Sequence, residues 1–186
     1  MNESTMIRHL PTLATERLNL RPFTLADAEF VRELAGAPAI YATTLNIPHP
    51  YEEGMAEKWI ATHASNFYEG RGVQLAITLK EAGRLVGAIA LTARPAHKRA
   101  ELGYWIGLPY WGNGYCTEAA REVIRYGFET LGLHKINAHH LSENPASGRV
   151  MEKAGMSREG IMVDHFLKDG AFRSVTAYAI LNHAPL

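Results

Sequence analysis

The chain has one cysteine, Cys116, among its 186 residues, and no run of apolar residues long enough to span a membrane. A single cysteine excludes an internal disulfide framework and a metal site built from several cysteines. It also fits, though weakly, a protein of a reducing compartment. The first twenty residues, MNESTMIRHLPTLATERLNL, lack the continuous apolar segment of a signal peptide. We therefore expect a soluble cytoplasmic protein with no membrane partner.

An excess of charge of either sign is also missing, because 19 Lys and Arg balance 19 Asp and Glu. This balance argues against a general nucleic-acid-binding role, which normally requires a basic surface. No internal repeat or low-complexity linker divides the chain. Its length suits one domain with a proper core. We expect a single domain over residues 1–186, with its core at about residues 14–182.

Metal-binding motifs are absent as well, despite nine histidines. Neither HExxH nor CxxC occurs, and the adjacent His139 and His140 would point to opposite faces of a strand. We therefore expect no metal. His139, His140 and His165 remain candidates for lining a pocket.

The hydrophobic pattern predicts the order strand, two helices, three meandering strands, helix, strand, helix and hairpin. Thr24 and Asp27 form a capping-box signal for the first helix, whose buried stripe would be Phe30, Val31 and Leu34. Gly36 would end that helix, and the residues numbered 37–51 are predicted to be a loop. Short connections favour antiparallel neighbours. The predicted fold class is mixed α/β (α+β) with a mostly antiparallel sheet flanked by helices.

Two glycines, Gly112 and Gly114, lie between a predicted strand and a helix that begins near the second of them. The first N–H groups of a helix have no intrahelical partner, and the helix dipole leaves partial positive charge there. Glycines allow a bulky anion such as a phosphate to approach these groups. The alternative is that the glycines only permit a sharp turn.

Two common phosphate motifs fit this segment poorly. A Walker loop is excluded because no Lys-Ser or Lys-Thr follows the glycines. A dinucleotide fingerprint lacks its third glycine, since Thr117 stands there, and it normally lies in a parallel βαβ unit. Nicotinamide-dinucleotide binding remains a less favoured hypothesis.

The chain resembles the GNAT family of acyl-CoA-dependent N-acyltransferases, and within it the ribosomal-protein N-terminal acetyltransferase branch. The resemblance runs through most of the sequence in the order of the family, over the segments TERLNLRPFTLADAEFV, AEKWI, LVGAIAL, AELGYWIGLPYWGNGYCTEAAREVIRYGFETLGLHKI, ENPASGRVMEKAGM and REGIM. It implies a GNAT-like twisted and splayed sheet, acetyl-CoA as cosubstrate and an amine acceptor. Members of this branch often form dimers, so a homodimer is one expected state.

The resemblance implies a pyrophosphate loop whose main-chain N–H groups bind coenzyme A without a metal. This loop corresponds to Trp111, Gly112, Asn113, Gly114, Tyr115, Cys116 and Thr117. Cys116 departs from the small Gly or Ala of the family, and we interpret it as a small buried apolar residue rather than a nucleophile. Glu118, in the first helical turn, is expected to be a partner of the helix dipole only.

The strand ELGYWIGL is implied to splay from its neighbour and to bind pantetheine. Tyr104, Trp105 and Ile106 would act there mainly through their main chains, which would also polarise the thioester carbonyl. Glu101 is implied to lie near the acceptor amine, where it would be the general base, directly or through water. Its alternative is a solvated carboxylate paired with Arg99.

Two residues at the start of the last predicted helix are further site candidates. Asn144 would bind the pantetheine arm, or alternatively cap the helix. Ser147, one turn later, would contact the sulfur or protonate the thiolate, or alternatively be solvated surface. Many family members have a tyrosine general acid where this chain has Met151, and methionine cannot donate a proton.

The leading hypothesis is an acetyl-CoA-dependent N-acetyltransferase that moves the acetyl group directly to a primary amine of a protein N-terminus or small molecule. The absent tyrosine and Cys116 leave open an alternative, a non-catalytic CoA-binding regulatory module. The residues numbered 37–51 and the following helix would shape the acceptor pocket.

Overall fold

The computed structural model describes residues 9–183 and contains an eight-stranded sheet in the order β1-β2-β3-β4-β5-β6-β8-β7. Its neighbouring strands are antiparallel, apart from the parallel pair β5 and β6. The strands are β1 (Leu13–Ala14), β2 (Leu18–Arg21), β3 (Gly72–Leu79), β4 (Leu85–Arg94), β5 (Arg99–Ile106), β6 (Lys135–Leu141), β7 (Ser157–Lys168) and β8 (Ala171–Leu181).

The helices lie on both faces of this sheet. They are α1 (Ala28–Ala35), α2 (Pro38–Thr43), α3 (Met55–Ala61), α4 (His63–Tyr68), α5 (Tyr115–Glu129) and α6 (Pro145–Lys153). Within residues 9–183, no helix has the length and apolar character needed to cross a membrane. The predicted fold class, a mixed, mostly antiparallel sheet flanked by helices, is confirmed.

Local sequence signals account for several element boundaries. The main-chain N–H of Thr24 donates to the Asp27 carboxylate at 2.8 Å, as the capping-box pattern predicts. Asp169 and Gly170 join β7 to β8 with positive φ angles of 52° and 73°, which this short turn requires. Gly155, with φ of 94°, follows the end of α6 in the left-handed conformation that often ends a helix.

Three predictions about the first part of the chain were wrong. The segment 37–51 is not all loop, because α2 begins there with a proline in its first turn. Phe30 is 49 % exposed and lies outside the buried stripe of α1, whereas Val31 is buried. The predicted second helix is two helices, α3 and α4, separated at Thr62.

Two hydrophobic clusters cover the two faces of the sheet. The larger one packs α5 and α6 against one face, which we call the α5 face, and it includes Leu91, Leu102 and Met151. The smaller one packs α1, α2 and α3 against the opposite face, here the α1 face, and it includes Ala88 and Trp105. Alternation of side chains along a strand therefore decides which of the two helical layers each residue contacts.

The parallel pairing of β5 and β6 is short. Arg99, Ala100 and Glu101 pair with residues 135–137, and the ladder ends there, although both strands continue. The predicted splay of this strand is confirmed. Beyond Glu101, the two strands diverge and leave a gap near the middle of the sheet.

His63 on α4 is a buried histidine in an aromatic environment. Its side chain is 5 % exposed, its ring lies 4.4 Å from that of Trp59 and 5.3 Å from that of Phe23, and no described residue bonds its ring nitrogens. Burial lowers the pKa of His63 to about 4. Because the folded pKa is below the unfolded one, its contribution to stability is full above the unfolded pKa and decreases as pH falls towards 4.

We expect His63→Leu to weaken the pH dependence of folding. When the pH is lowered from about 7.5 to 4.5, the free energy of unfolding should fall by roughly 2 kcal/mol less in the variant than in the parent. The reason is that the parent must keep His63 neutral in the folded state, whereas the unfolded chain binds a proton there. Urea denaturation at both pH values measures this difference. The control is His97→Leu, since His97 is exposed. Equal pH dependence in parent and His63→Leu would contradict the prediction.

Candidate functional site

A cavity of about 630 Å³ opens where β5 and β6 diverge. It is bounded by α2 and the chain after it, the turn before α5, and α6. Asn113 and the pocket candidate His165 do not line it. The other residues that the sequence predicts for the site do: Glu101, Tyr104, Trp105, Ile106, Trp111, Gly112, Gly114, Tyr115, Cys116, Thr117, His139, His140, Asn144 and Ser147. The fold thus brings together residues from three separate parts of the sequence.

The glycine turn has the conformation that its sequence suggests. Gly112 and Gly114 both have φ of 78°, and Gly114 is the N-cap of α5. The first helical bond runs from the N–H of Glu118 to the carbonyl of Gly114, at 3.1 Å. The N–H groups of the three residues between them belong to the first turn, which has no intrahelical acceptors. A Cβ at Gly112 would meet no heavy atom within 4 Å, so the cavity is open beside this turn.

Asn113 does not line the cavity, and its predicted binding role, which is that of its main-chain N–H, stays a prediction. Its Nδ2 donates to the carbonyls of Tyr110 at 3.1 Å and Trp111 at 3.2 Å. The Trp111 indole in turn donates to the carbonyl of Ile106 at 2.5 Å. Both side chains therefore hold the turn in place against the end of β5.

Arg17, just before β2, supports the same turn and was not predicted. Its guanidinium donates to the carbonyl of Asn113 at 3.1 Å and to Glu118 at 2.7 Å, and lies 4.8 Å from the centre of the Tyr115 ring. Thr15 also donates to Glu118, at 2.5 Å. The expectation that Glu118 serves the helix dipole alone is wrong.

The pKa of Glu118 reflects these contacts. Burial would raise this pKa, but hydrogen bonds from Thr15 and Arg17 outweigh burial and hold it below its ordinary value. A charged Glu118 therefore links the amino-terminal strands to the first turn of α5.

The main chain of β5 alternates between its neighbour and the gap. The Gly107 N–H donates to the carbonyl of Val86 at 2.8 Å, and this register places Trp105 opposite Ala88 in a hydrogen-bonded pair of the β4–β5 ladder. The main chain of Tyr104 consequently faces the gap, beyond the end of the β5–β6 ladder. The prediction that Tyr104, Trp105 and Ile106 all offer main-chain groups is wrong for Trp105, whose main chain bonds β4. The carbonyl of Ile106 accepts from Trp111.

The side chain of Tyr104 makes a contact that was not predicted. Its hydroxyl lies 2.9 Å from Ser147 Oγ and 3.0 Å from the Ser147 carbonyl oxygen, joining β5 to α6 across the cavity. Burial raises the pKa of Tyr104, so its phenol stays protonated near neutral pH. Tyr104 is therefore a hydrogen-bond donor that holds Ser147.

Asn144 adopts the capping role that was its alternative interpretation. Its side-chain oxygen accepts the N–H of Ser147 at 3.3 Å, and its Nδ2 is 3.4 Å from the carbonyl of Thr43 on α2. Asn144 thus connects the start of α6 to the layer on the other side of the cavity.

Glu101 lies next to a histidine rather than next to Arg99. Its Oε1 is 3.1 Å from Nδ1 of His139, and the side chain of Glu101 is 47 % exposed. His139 belongs to β6 and lines the cavity, and its ring stacks on Phe166 at 5.3 Å. His140 is buried and also lines the cavity. Within residues 9–183, no group of three His, Cys, Asp or Glu could hold a metal ion.

Two cations at the α6 side of the cavity were missed by sequence reasoning. Arg149 and Lys153 both line it, and the Lys153 carbonyl accepts from Arg121 of α5 at 2.7 Å and 3.0 Å. These cations lie on the helix that faces the start of α5. In the sequence, these two residues stand four apart in a segment predicted to be a helix beginning at Pro145. This spacing indicates that they share one face of the helix, and it is the signal that could have identified them.

Cys116 and Met151 are packed residues of the α5 face. Met151 is 2 % exposed, and Cys116 is partly buried against the same cluster. Burial raises the pKa of the Cys116 thiol. Both facts agree with a packing role for Cys116.

Comparison with known proteins identifies the family. Residues 17–157 match the model of the acetyltransferase (GNAT) domain. An uncharacterised N-acetyltransferase of Bacillus subtilis strain 168, YoaA, is 33 % identical over 180 residues, covering 92 % of this chain and 97 % of that protein. A second protein of that strain, YdaF, is provisionally named a ribosomal N-acetyltransferase and is 27 % identical over 174 residues, covering 89 % of this chain and 92 % of its own length.

A solved structure agrees with this result. The crystal structure of a GNAT-family acetyltransferase from Bacillus anthracis superposes with a TM-score of 0.82 at 27 % identity, covering 92 % of this chain and 98 % of that one. The chain belongs to the GNAT family of N-acetyltransferases, so the resemblance found in the sequence is confirmed.

We expect the Cys116 thiol to be protected in the folded protein. Alkylation by iodoacetamide should be at least about tenfold slower in the native protein than in the urea-unfolded chain, because burial disfavours the reactive thiolate. Mass spectrometry of timed samples measures the rate, and the parent's Cys116→Ala variant gives the background. Equal native and unfolded rates would show that this thiol is accessible.

Proposed function

We propose that this N-acetyltransferase moves the acetyl group of acetyl-CoA directly to a primary amine of a protein N-terminus or a small molecule. The observation that carries the proposal is the single cavity that joins the glycine turn, the gap between β5 and β6, Glu101 and Ser147. Such a cavity lets a cosubstrate anchored at the turn extend its thioester towards a carboxylate. A homodimer and a cytoplasmic location stay predictions.

In this proposal, the main-chain N–H groups of residues 112–117 bind the pyrophosphate of coenzyme A. The open space beside Gly112 and the positive end of α5 favour an anion there. Arg149 and Lys153 add positive charge along the same cavity. The pantetheine arm would lie along the gap, where the main chain of Tyr104 is a hydrogen-bonding partner, while Asn144 holds the start of α6 beside it.

Glu101 is proposed to drive deprotonation of the acceptor amine. It lies on the α1 face of β5, next to His139 and at the edge of the gap. The amine nitrogen attacks the thioester carbonyl carbon, the C–N bond forms, and the C–S bond breaks to release the thiolate. The amine proton passes to Glu101, directly or through water.

Ser147 is proposed to stabilise the departing thiolate. The single phenol proton of Tyr104 can go to the Ser147 carbonyl oxygen or to Ser147 Oγ, and when it goes to Oγ, the serine's own proton is free to point into the cavity. The developing negative charge on sulfur then accepts a hydrogen bond from Ser147. Because the raised pKa of Tyr104 keeps its proton in place, Tyr104 acts as a positioning residue rather than as the acid.

Thiol release from acetyl-CoA tests the function. With a panel of amines and short peptides, the parent should release thiol, and Glu101→Gln should lower kcat/KM by about 10²–10⁴-fold with unchanged affinity for coenzyme A. Glu143→Gln is the matched control, since Glu143 is exposed and pairs with Arg173. Tight coenzyme binding without turnover of any amine would instead indicate a regulatory module. A rise in melting temperature with a nicotinamide dinucleotide, but not with coenzyme A, would instead indicate a dinucleotide-binding protein.

The Tyr104–Ser147 contact is tested by a double-mutant cycle. We expect Ser147→Ala and Tyr104→Phe each to lower kcat by about tenfold, and the double variant to lose little more, because one hydrogen-bonded unit is removed in each case.

A spectroscopic readout separates this role from a loss of structure. The thiolate absorbance of bound coenzyme A, followed against pH, should show a higher thiol pKa in both single variants than in the parent. Tyr178→Phe is the control, because the Tyr178 hydroxyl bonds Glu152 at 3.0 Å outside the cavity. Additive losses with an unchanged thiol pKa would contradict the prediction.

A further inference from the structure

We propose that the α1-face half of the cavity accepts a primary monoamine with an uncharged, mainly apolar body and selects against polyamines. The inference rests on the proposed function and concerns the substrate class of that same site. It is carried by the shape, the wall chemistry and the charge of this half of the cavity, which we call the acceptor subsite.

The floor of the acceptor subsite is made of three small residues and one glutamine. Gln74, Ala90 and Gly103 form one row across β3, β4 and β5, and Ala88 lies beside this row. A Cβ at Gly103 would meet no heavy atom within 4 Å, and its φ is not positive. The floor is therefore an open depression directly beside Glu101, with room for a substrate body rather than for protein side chains.

Apolar and aromatic side chains form much of the wall of this depression, beside the polar Thr43, Thr44 and Asn46. Trp59 of α3 and Trp105 of β5 line the cavity, together with Ile40 of α2. Trp105 is only 9 % exposed and packs with the helices of the α1 face. Apolar surface of this kind stabilises an apolar or aromatic body by removing it from water.

The charge of the lining sets the number of ammonium groups that can be matched. Among the described residues that line the cavity, Glu101 is the one carboxylate, and the cations Arg149 and Lys153 lie on its α6 side. One amine can meet Glu101. A second ammonium on the same substrate would find no second carboxylate among the described lining residues, and an unpaired charge is unfavourable there. The subsite thus fits a monoamine and selects against a polyamine.

Gln74 adds a hydrogen-bonding requirement. Its side chain lines the cavity, and its Oε1 is buried with no hydrogen-bond partner among residues 9–183. Buried acceptors are normally paired. A second N–H or O–H on the substrate body, such as the first peptide N–H of a protein N-terminus, would complement it.

Thiol-release kinetics with matched amines test the substrate class. Hexylamine and 1,6-diaminohexane have the same six-carbon chain and differ by one ammonium group. We expect kcat/KM for hexylamine to exceed that for the diamine by about tenfold or more at low salt, since a pocket discriminates strongly against an unmatched polar group. Equal rates, or a faster diamine, would overturn the monoamine assignment.

A substitution on the floor tests the location of the subsite. Gly103→Val should lower kcat/KM by about tenfold or more for bulky monoamines and by less for methylamine, with unchanged affinity for coenzyme A. Gly160→Val is the matched control, because Gly160 also lies in a strand, has open space around its Cβ position and does not line the cavity.

The outcomes separate this inference from the proposed function. If coenzyme A binds but no amine releases thiol, the proposed function fails. If amines support thiol release but Gly103→Val and Gly160→Val have the same kcat/KM for every monoamine from methylamine to the bulky ones, the acceptor lies elsewhere. The inference is then overturned, while the proposed function stands.

Discussion

The divergence of β5 and β6 after three parallel pairs is the constraint on which the site depends. Main-chain N–H and C=O groups need partners, and a strand that leaves its neighbour inside a sheet offers groups that the ladder no longer bonds. Here, the register directs the main chain of Tyr104 towards this gap. The same divergence opens a passage between the two faces of the sheet, so that a ligand held on the α5 face can reach a group on the α1 face.

The two faces have different chemical character because alternate residues of one strand serve them. Along β5, Leu102 and Tyr104 face the α5 layer, whereas Glu101 and Trp105 face the α1 layer. The α5 face supplies the helix start and two cations, and the α1 face supplies aromatic walls and one carboxylate. One short strand therefore separates the region proposed to bind the pyrophosphate from the region proposed to bind the amine.

Local signals in the sequence predicted the parts of the site whose conformation is decided by neighbours in the chain. The glycine turn, the capping of α6 by Asn144 and the final hairpin are of this kind. The contacts missed by sequence reasoning join distant positions: Arg17 to the turn before α5, Tyr104 to Ser147, and His139 to Glu101. The sequence shows which residues carry a charge or a hydroxyl group. The residues that they contact depend on strand register and on where the helices pack, which local patterns do not reveal. The short helix α2 was missed because Pro and Thr are common in loops, while tertiary packing of Ile40 outweighs that preference.

Met151 stands where many family members have a tyrosine, and the proposed mechanism assigns thiolate release to other groups. Position 151 lies one helical turn after Ser147 on α6, so the two residues share a face of the helix. A phenol reaches that face from β5 instead, through the contact of Tyr104 with Ser147. Because a thiol has a pKa near ambient pH, it can leave as the thiolate. The thiolate then needs a hydrogen-bond donor to stabilise its charge, and it does not need a strong acid to protonate it. In the proposed mechanism, the Ser147 hydroxyl held by a protonated Tyr104 meets this need, so methionine at residue 151 is compatible with acetyl transfer.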